Sequence, residues 1–178
     1  MNQSFKNKRI FLNSRGGFTL IELLVVIAII GLLSSVVLAS LSSARAKARD
    51  AKRTQDLVQI RTALALYYND KGTYPLPYPQ TWGGVSTAPC GINNTILSGP
   101  NAYIAGLAPT YISILPTDPA APGSCNGYLY TSDGTNYKFL VHGSAESYPG
   151  VGQRFYDPAR PNWAWMICSE NPVACNTW

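Results

Sequence analysis

Arg15-Gly16-Gly17-Phe18-Thr19-Leu20-Ile21-Glu22 is the stretch whose residue types and spacing carry chemistry. A basic residue and two glycines stand directly before a long apolar run, and a single acid, Glu22, lies in the first turns of that run. The chemistry this arrangement permits is done to the chain, as hydrolysis of the Gly17–Phe18 peptide bond. An ordinary secretory signal is cut after its apolar region. Here the small residues precede the region, and no A-x-A site follows it. A cut between Gly17 and Phe18 removes a basic peptide and leaves the apolar helix on the mature protein. Chemistry performed by the chain has no comparable signature: there is no GxSxG, no phosphate loop and no metal cluster. His142 is the sole histidine. Without an Asp, Glu or Cys at ligand spacing it reads as a surface or strand residue, not as a catalytic base. Asp118, flanked by Pro116 and Pro119, reads as a turn former. Cys90, Cys125, Cys168 and Cys175 form no CxxC pair, so a zinc ribbon or dithiol redox site is not indicated. All four follow the apolar run, and an exported domain would oxidise them to disulfides. Four cysteines allow three pairings, and their spacing selects none.

The elements that must position these residues follow from composition. All thirteen prolines lie at or after Pro75, and Gly31 is the only glycine between Phe18 and Lys71. Proline breaks helix interiors, so its absence permits one long helix from Phe18 to about Asn69, about 78 Å in length. Leu23 to Ala44 carries no charge. As a helix that run is about 33 Å long, enough to cross a hydrocarbon core of about 30 Å. Lys6, Lys8, Arg9 and Arg15 precede it, which favours a cytoplasmic N-terminus. From Arg45 the pattern becomes amphipathic, with Leu57, Ile60, Leu64 and Tyr67 or Tyr68 forming an apolar stripe. Asn69-Asp70-Lys71-Gly72 is the predicted stop, with Gly72 as a left-handed cap. Beyond Pro75 the chain reads as loops, turns and short strands. Tyr128-Leu129-Tyr130 and Tyr137 to Val141 flank Asp133-Gly134 and predict an antiparallel hairpin.

The location of the charge argues against one function class. The net charge of +5 is concentrated in the first seventeen positions, which hold four of the fourteen basic residues. The other ten nearly balance nine acids. A nucleic-acid-binding domain carries a basic face of its own. Arg45, Lys47, Arg49, Lys52 and Arg53 read as a solvated face just outside a membrane, near lipid phosphates. Charged residues make up only 13 % of the chain against roughly 25 % in ordinary soluble domains, which points to a membrane segment, a crowded assembly, or both.

Gly17 to Glu22 resembles, residue for residue, the processing site of the prepilins, the family of type IV pilins and type II secretion pseudopilins. Ala63-Leu64-Ala65-Leu66-Tyr67-Tyr68-Asn69-Asp70-Lys71-Gly72-Thr73-Tyr74-Pro75 is similar to the helix end of major pseudopilins, with its G-x-Y-P turn. Leu115-Pro116-Thr117-Asp118-Pro119 followed by Tyr128-Leu129-Tyr130 is similar to their L-P-x-D-P stretch and first sheet strand. The resemblance reaches to about Val141. It implies an α+β subunit in which the C-terminal half of a long N-terminal helix packs on a small antiparallel sheet, with C-terminal loops. Four segments are expected: a leader over 1–17, the membrane and assembly half of the helix over 18–44, its amphipathic half over 45–70, and an extracytoplasmic head over 71–178.

The resemblance further implies that a prepilin peptidase cuts after Gly17 and methylates the new amine of Phe18. Glu22 then meets the N-terminal amine of a neighbouring subunit. An acid at a bilayer centre costs about 2.5–3.5 kcal/mol on insertion scales, less near a helix N-terminus where the dipole favours it. The implied partners are copies of the chain, other pilin-like subunits, the peptidase, a membrane assembly platform and the bilayer itself. The implied location is the inner membrane as a single pass, then a filament in the periplasm or at the cell surface. Mechanism is assembly: helices leave the membrane and bundle into a core. By the same resemblance Cys168 and Cys175 staple a C-terminal loop, leaving Cys90 with Cys125. Trp163, Trp165 and Trp178 are expected in the local core or at subunit contacts. Two features depart from the family. Many pilins carry a proline in the first helix, where this chain has Gly31 and Ser34-Ser35. Major pseudopilins often end in an acidic calcium loop, whereas Asp157 and Glu170 stand far apart here, so calcium is not supported and no cofactor is expected. Competing readings are a minor pilin that binds DNA or a surface ligand, and a plain signal-anchored enzyme or binding domain. A plain anchor needs neither the glycine cut site nor the acid.

Overall fold

The computed structural model describes residues 17–78, 82–84, 92–93, 96–120, 126–170 and 175–176, with backbone alone at 83, 84, 92 and 93. The Cys90–Cys125 pairing and Trp178 lie outside the described residues. The chain forms two compact units, Met1–Ser42 and Ser43–Trp178. Helix α1 (Leu20–Lys71) contributes to both.

In the first unit α1 is apolar on every side. Its best 18-residue window has a mean hydropathy of 2.8, with none of it buried. A helix apolar all round is stable only where something other than water surrounds it. In the second unit α1 is one-sided. Arg53, Asp56, Leu57, Ile60, Ala63 and Leu64 are buried, at the three- and four-residue spacing of a single face. Tyr67 packs on the same core, whereas Tyr68 stays exposed. The helix ends at Gly72, whose φ of 72° accepts the left-handed cap and whose N–H donates to the Tyr68 carbonyl at 2.8 Å.

A five-stranded sheet has the order β2-β1-β3-β4-β5. Its strands are β1 (Gly83–Gly84), β2 (Ile92–Asn93), β3 (Gly127–Ser132), β4 (Tyr137–His142) and β5 (Ala164–Cys168). β3, β4 and β5 are antiparallel and form its substantial part, while β1 and β2 add a two-residue parallel pair at one edge. The β3–β4 hairpin closes as its sequence predicts. Asp133 Oδ1 accepts the N–H groups of Thr135 and Asn136, and Gly134 has a φ of 88°. Alternation then sorts side chains onto two faces. Tyr128, Tyr130, Tyr137, Phe139, Val141, Trp165 and Ile167 join Leu57, Ile60 and Leu64 of α1 in the main core. Tyr103, Ile104, Leu107 and Leu115 complete it. The opposite face, with Leu129, Leu140 and Ala164, is capped by Trp82 and Met166.

One charge sits where the sequence predicts solvent. Arg53 has no exposed surface. Its Nε and Nη2 donate to the two Asp118 oxygens at 2.9 and 2.8 Å, and its Nη1 donates to Asp50 at 2.8 Å. Asp118 also accepts Ser144 Oγ and the Ala120 N–H. It therefore forms the turn its proline neighbours suggest and clamps the helix as well. Asp50 accepts the Glu146 N–H and Ser147 Oγ, each at 3.0 Å. Burial alone lowers the Arg53 pKa, but Asp118 and Asp50 carry it above its ordinary value. Asp118→Ala leaves the buried guanidinium without its forked partner. The loss is expected to be about 3–5 kcal/mol, read as a lower urea midpoint of the head, with Lys47→Ala on the exposed face as the unaffected comparison.

Candidate functional site: the head of helix α1

Gly17 and Phe18 precede α1 outside any regular element, and Phe18 is 91 % exposed. Thr19 is the N-cap. Its Oγ1 accepts the Glu22 N–H at 3.3 Å, and its own N–H and Oγ1–H donate to Glu22 Oε2 at 2.8 and 2.7 Å. This reciprocal pair is a capping box, built from the T-x-x-E spacing of Thr19-Leu20-Ile21-Glu22. It satisfies donors that would otherwise be orphaned at a helix start, and it places the acid in the first turn where the dipole favours it. The box holds Glu22 through one oxygen. Oε1 takes no hydrogen bond among the described residues, and the side chain is exposed.

Sequence reasoning located Glu22 by its rarity in an apolar run but missed Thr19. The signal was present, since a Thr three residues before a Glu at the start of an apolar helix is the written form of the box. Gly17 has no packing reason to be glycine. A Cβ built there meets nothing within 4 Å, and its backbone avoids the left-handed region. The fold therefore leaves this position open, and a requirement for glycine must come from something that acts on the chain.

The other singled-out residues belong to the second unit. Cys168 and Cys175 are joined by a disulfide across a sequence separation of 7. His142 ends β4 with its ring edge-on to Trp163 at 6.3 Å. Trp163 is 65 % exposed, while Trp165 is buried and donates its indole N–H to the Ser147 carbonyl. Of the basic stretch, Arg49 pairs with Glu146, Lys52 with Asp56 and Arg53 with Asp118. Asp157 is fully buried against Lys138, and Glu170 is exposed. No group of three His, Cys, Asp or Glu side chains gathers among the described residues.

The family model described as "Prokaryotic N-terminal methylation motif" matches residues 12–38, a span that contains the capping box and the start of the apolar helix. Three relatives each bear the name "Type II secretion system core protein G". The protein from Aeromonas hydrophila is 35 % identical over 105 residues, covering 59 % of this chain and 67 % of the relative. That from Vibrio cholerae is 35 % identical over 118 residues, covering 66 % and 71 %. That from Pectobacterium carotovorum is 37 % identical over 103 residues, covering 58 % and 60 %. No solved structure matches the chain. The likeness to these proteins extends well beyond the methylation motif, and at this identity and coverage the chain belongs to the type II secretion system core protein G family, the major pseudopilins, as a structural pilin-like subunit.

Proposed function

We propose that the chain is made as a membrane-inserted precursor, cut after Gly17, methylated on the Phe18 amine and assembled through α1 into a type II secretion pseudopilus. The single observation that carries this reading is the head of α1. There an exposed Gly17–Phe18 bond stands beside a capping-box glutamate with one oxygen still open. A membrane prepilin peptidase needs an accessible peptide bond next to a small residue, and both are present. The freed amine and the Glu22 carboxylate of a neighbouring subunit are opposite charges in an apolar surrounding. Such a pair is far stronger there than in water, so it sets the axial register of each added subunit.

The exposed apolar half of α1 supports a bilayer as its environment before assembly and neighbouring helices afterwards. Other pilin-like subunits and an assembly platform are the remaining partners. The DNA-binding alternative is weakened by the basic stretch itself, because Arg49, Lys52 and Arg53 are already neutralised by acids of the same subunit. The same logic disfavours a calcium site in the tail. Asp157 is committed to a lysine, and a metal there would have to displace a covalently fixed cation.

Intact mass of the protein in sheared filaments tests the processing step. The expected species begins at Phe18 and carries one added methyl group; a filament species retaining Met1 to Gly17 overturns it. Gly17→Val is expected to accumulate as full-length precursor, with the fold of the head unchanged by circular dichroism. Glu22→Ala is expected to be cut normally yet to bring filament yield to background, and a normal yield overturns the pairing role. Millimolar calcium or a chelator is expected to leave the thermal midpoint of the purified chain unmoved.

A further inference from the structure

Eight acidic side chains follow Glu22, all in the second unit. Seven of them are answered inside the subunit. Asp50 and Asp118 hold Arg53, Asp56 holds Lys52, Asp70 holds Lys71, Glu146 holds Arg49 and Asp157 holds Lys138. Asp133 accepts two backbone N–H groups in the hairpin turn. Glu170 is exposed and has neither a hydrogen bond nor an ion pair among the described residues. It stands just past β5, in the wall of a groove with Arg61, Tyr68 and Tyr74. The Tyr68 and Tyr74 ring centroids lie 4.6 Å apart there, and Tyr68 is 42 % exposed. Arg61 shares the groove but does not come within ion-pair distance of Glu170.

A cation in the same condition stands toward the other end of β5. Arg154 is exposed, and among the described residues no acid pairs with its guanidinium. An aromatic ring holds it instead, with the guanidinium carbon 4.5 Å from the Phe155 ring centroid. Phe155 in turn lies parallel to Trp165, their centroids 6.3 Å apart. Phe155 has a φ of 68°, the sole positive value at a non-glycine residue among the described residues. Backbone strain of this kind persists only where the surroundings enforce it, and it gathers at working surfaces. Beside the ring and the guanidinium lies a cleft of about 230 Å³, walled by Thr54, Tyr148, Pro149 and Trp165. Val151, 85 % exposed in the same loop, adds apolar surface. Arg45 and Lys47 are also unpaired among the described residues, but they precede Thr54 by nine and seven residues on α1.

We propose that the Arg154 cleft of one subunit receives Glu170 of a second copy of the chain, in a head-to-tail contact between heads. The inference rests on the filament reading above and names the head surfaces that meet in it. Each patch joins an unpaired charge of opposite sign to exposed apolar surface, Val151 on one and Tyr68 on the other. That is the make-up of an interface in which apolar contact binds and charge orients. The guanidinium arriving in the groove meets a carboxylate and the faces of two tyrosines, both of which favour a cation. Within one subunit the two charges stand apart. Five residues of chain lead from Trp165 in the cleft to Glu170, about 17 Å at the rise of a strand. On α1 the cleft lies at Thr54 and the groove at Arg61 to Tyr68. A second copy displaced along α1 brings the two patches together. Unlike surfaces that meet in this way form a heterologous contact, which repeats without closing and builds a fibre.

Charge reversal in cells that assemble the filament tests the contact. Arg154→Glu and Glu170→Arg are each expected to lower the yield of sheared filaments about tenfold, and the two together to restore it to within about twofold of wild type. Arg61→Ala is expected to assemble as wild type does. Urea midpoints of the purified variants are expected to match wild type, since the substituted side chains are exposed. A second measurement needs no filament. Isotopically light and heavy copies of the full-length Arg154→Lys chain are mixed in phosphatidylethanolamine–phosphatidylglycerol vesicles and treated with a carbodiimide, which joins an amine to a carboxylate it touches. The expected product is an amide between the introduced amine and Glu170 whose two peptides carry different isotopes. Absence of wild-type filaments would overturn the function proposed above, and the cross-link then decides this contact by itself. The contact is overturned if no amide joins light to heavy copies, or if the double reversal fails to restore assembly. It is also overturned if Arg154→Glu lowers the yield while Glu170→Arg does not, the pattern of an arginine that serves a lipid headgroup.

Discussion

Arg53 is the interaction on which the head depends. A guanidinium without solvent contact is tolerable only if acids surround it in good geometry, and here those acids come from distant parts of the chain. Asp50 lies one turn earlier on α1, and Asp118 lies in the proline-flanked loop that precedes β3. Because the fork of Arg53 meets both Asp118 oxygens, it fixes the orientation of that loop as well as its distance. Ser144 and the Ala120 N–H bind the same carboxylate, and Asp50 gathers the backbone of Glu146 and the hydroxyl of Ser147. Helix, proline-flanked loop and the chain after β4 are therefore held by one connected set of charges. The apolar contacts of Leu57, Ile60 and Leu64 supply the bulk of the burial. Hydrophobic burial is non-directional, and the charge network gives this packing its angular definition.

Polar groups at the edge of the core repeat the theme with less charge. Asp56, buried on α1, accepts the Tyr128 hydroxyl at 2.7 Å, so the helix is also tied to β3. Burial first, and then the Asp56 carboxylate, push the Tyr128 phenol well above its ordinary pKa. The Tyr130 hydroxyl donates to the Pro75 carbonyl, and the Tyr74 N–H donates to the Gly134 carbonyl, which anchors the turn after α1 on the β3–β4 hairpin. Each contact joins segments far apart in sequence. The G-x-Y-P turn and the L-P-x-D-P stretch, read in the sequence as family markers, thus have structural tasks of their own.

The two ends of the chain handle charge in opposite ways. Glu22 keeps one oxygen in a local capping box and the other open, on a helix whose apolar surface is fully exposed in the isolated chain. That geometry is what the proposed pairing with a neighbouring subunit would require. Lys138 and Asp157 are sealed inside one subunit, with a disulfide beside them, and form a closed site. An open acid and an exposed apolar helix suit association, whereas a closed pair suits a head that keeps its shape during it.

Much of this was legible in the sequence wherever the cause is local. The length of α1 followed from the absence of proline, its end from Gly72, and the hairpin from two alternating runs around Asp133-Gly134. Even the capping box, though overlooked, depends on residues three apart. What lay beyond reach was every feature whose cause is a contact across the fold. Arg53 looks like its neighbours Arg49 and Lys52 in a charged stretch, and only the docking of Asp118 makes it a core residue. Lys138 alternates with Tyr137 and Phe139 as a solvated strand residue would, yet its ammonium is buried against the Asp157 carboxylate and the Cys175 carbonyl from elsewhere in the chain. The sequence by itself determined the long helix, its apolar half, the processing motif and the hairpin, because helical period, residue volume and turn preference act within a few residues. The tertiary structure alone decided which charges are buried and what compensates them, because a charge enters a core only when residues from elsewhere in the chain replace its water.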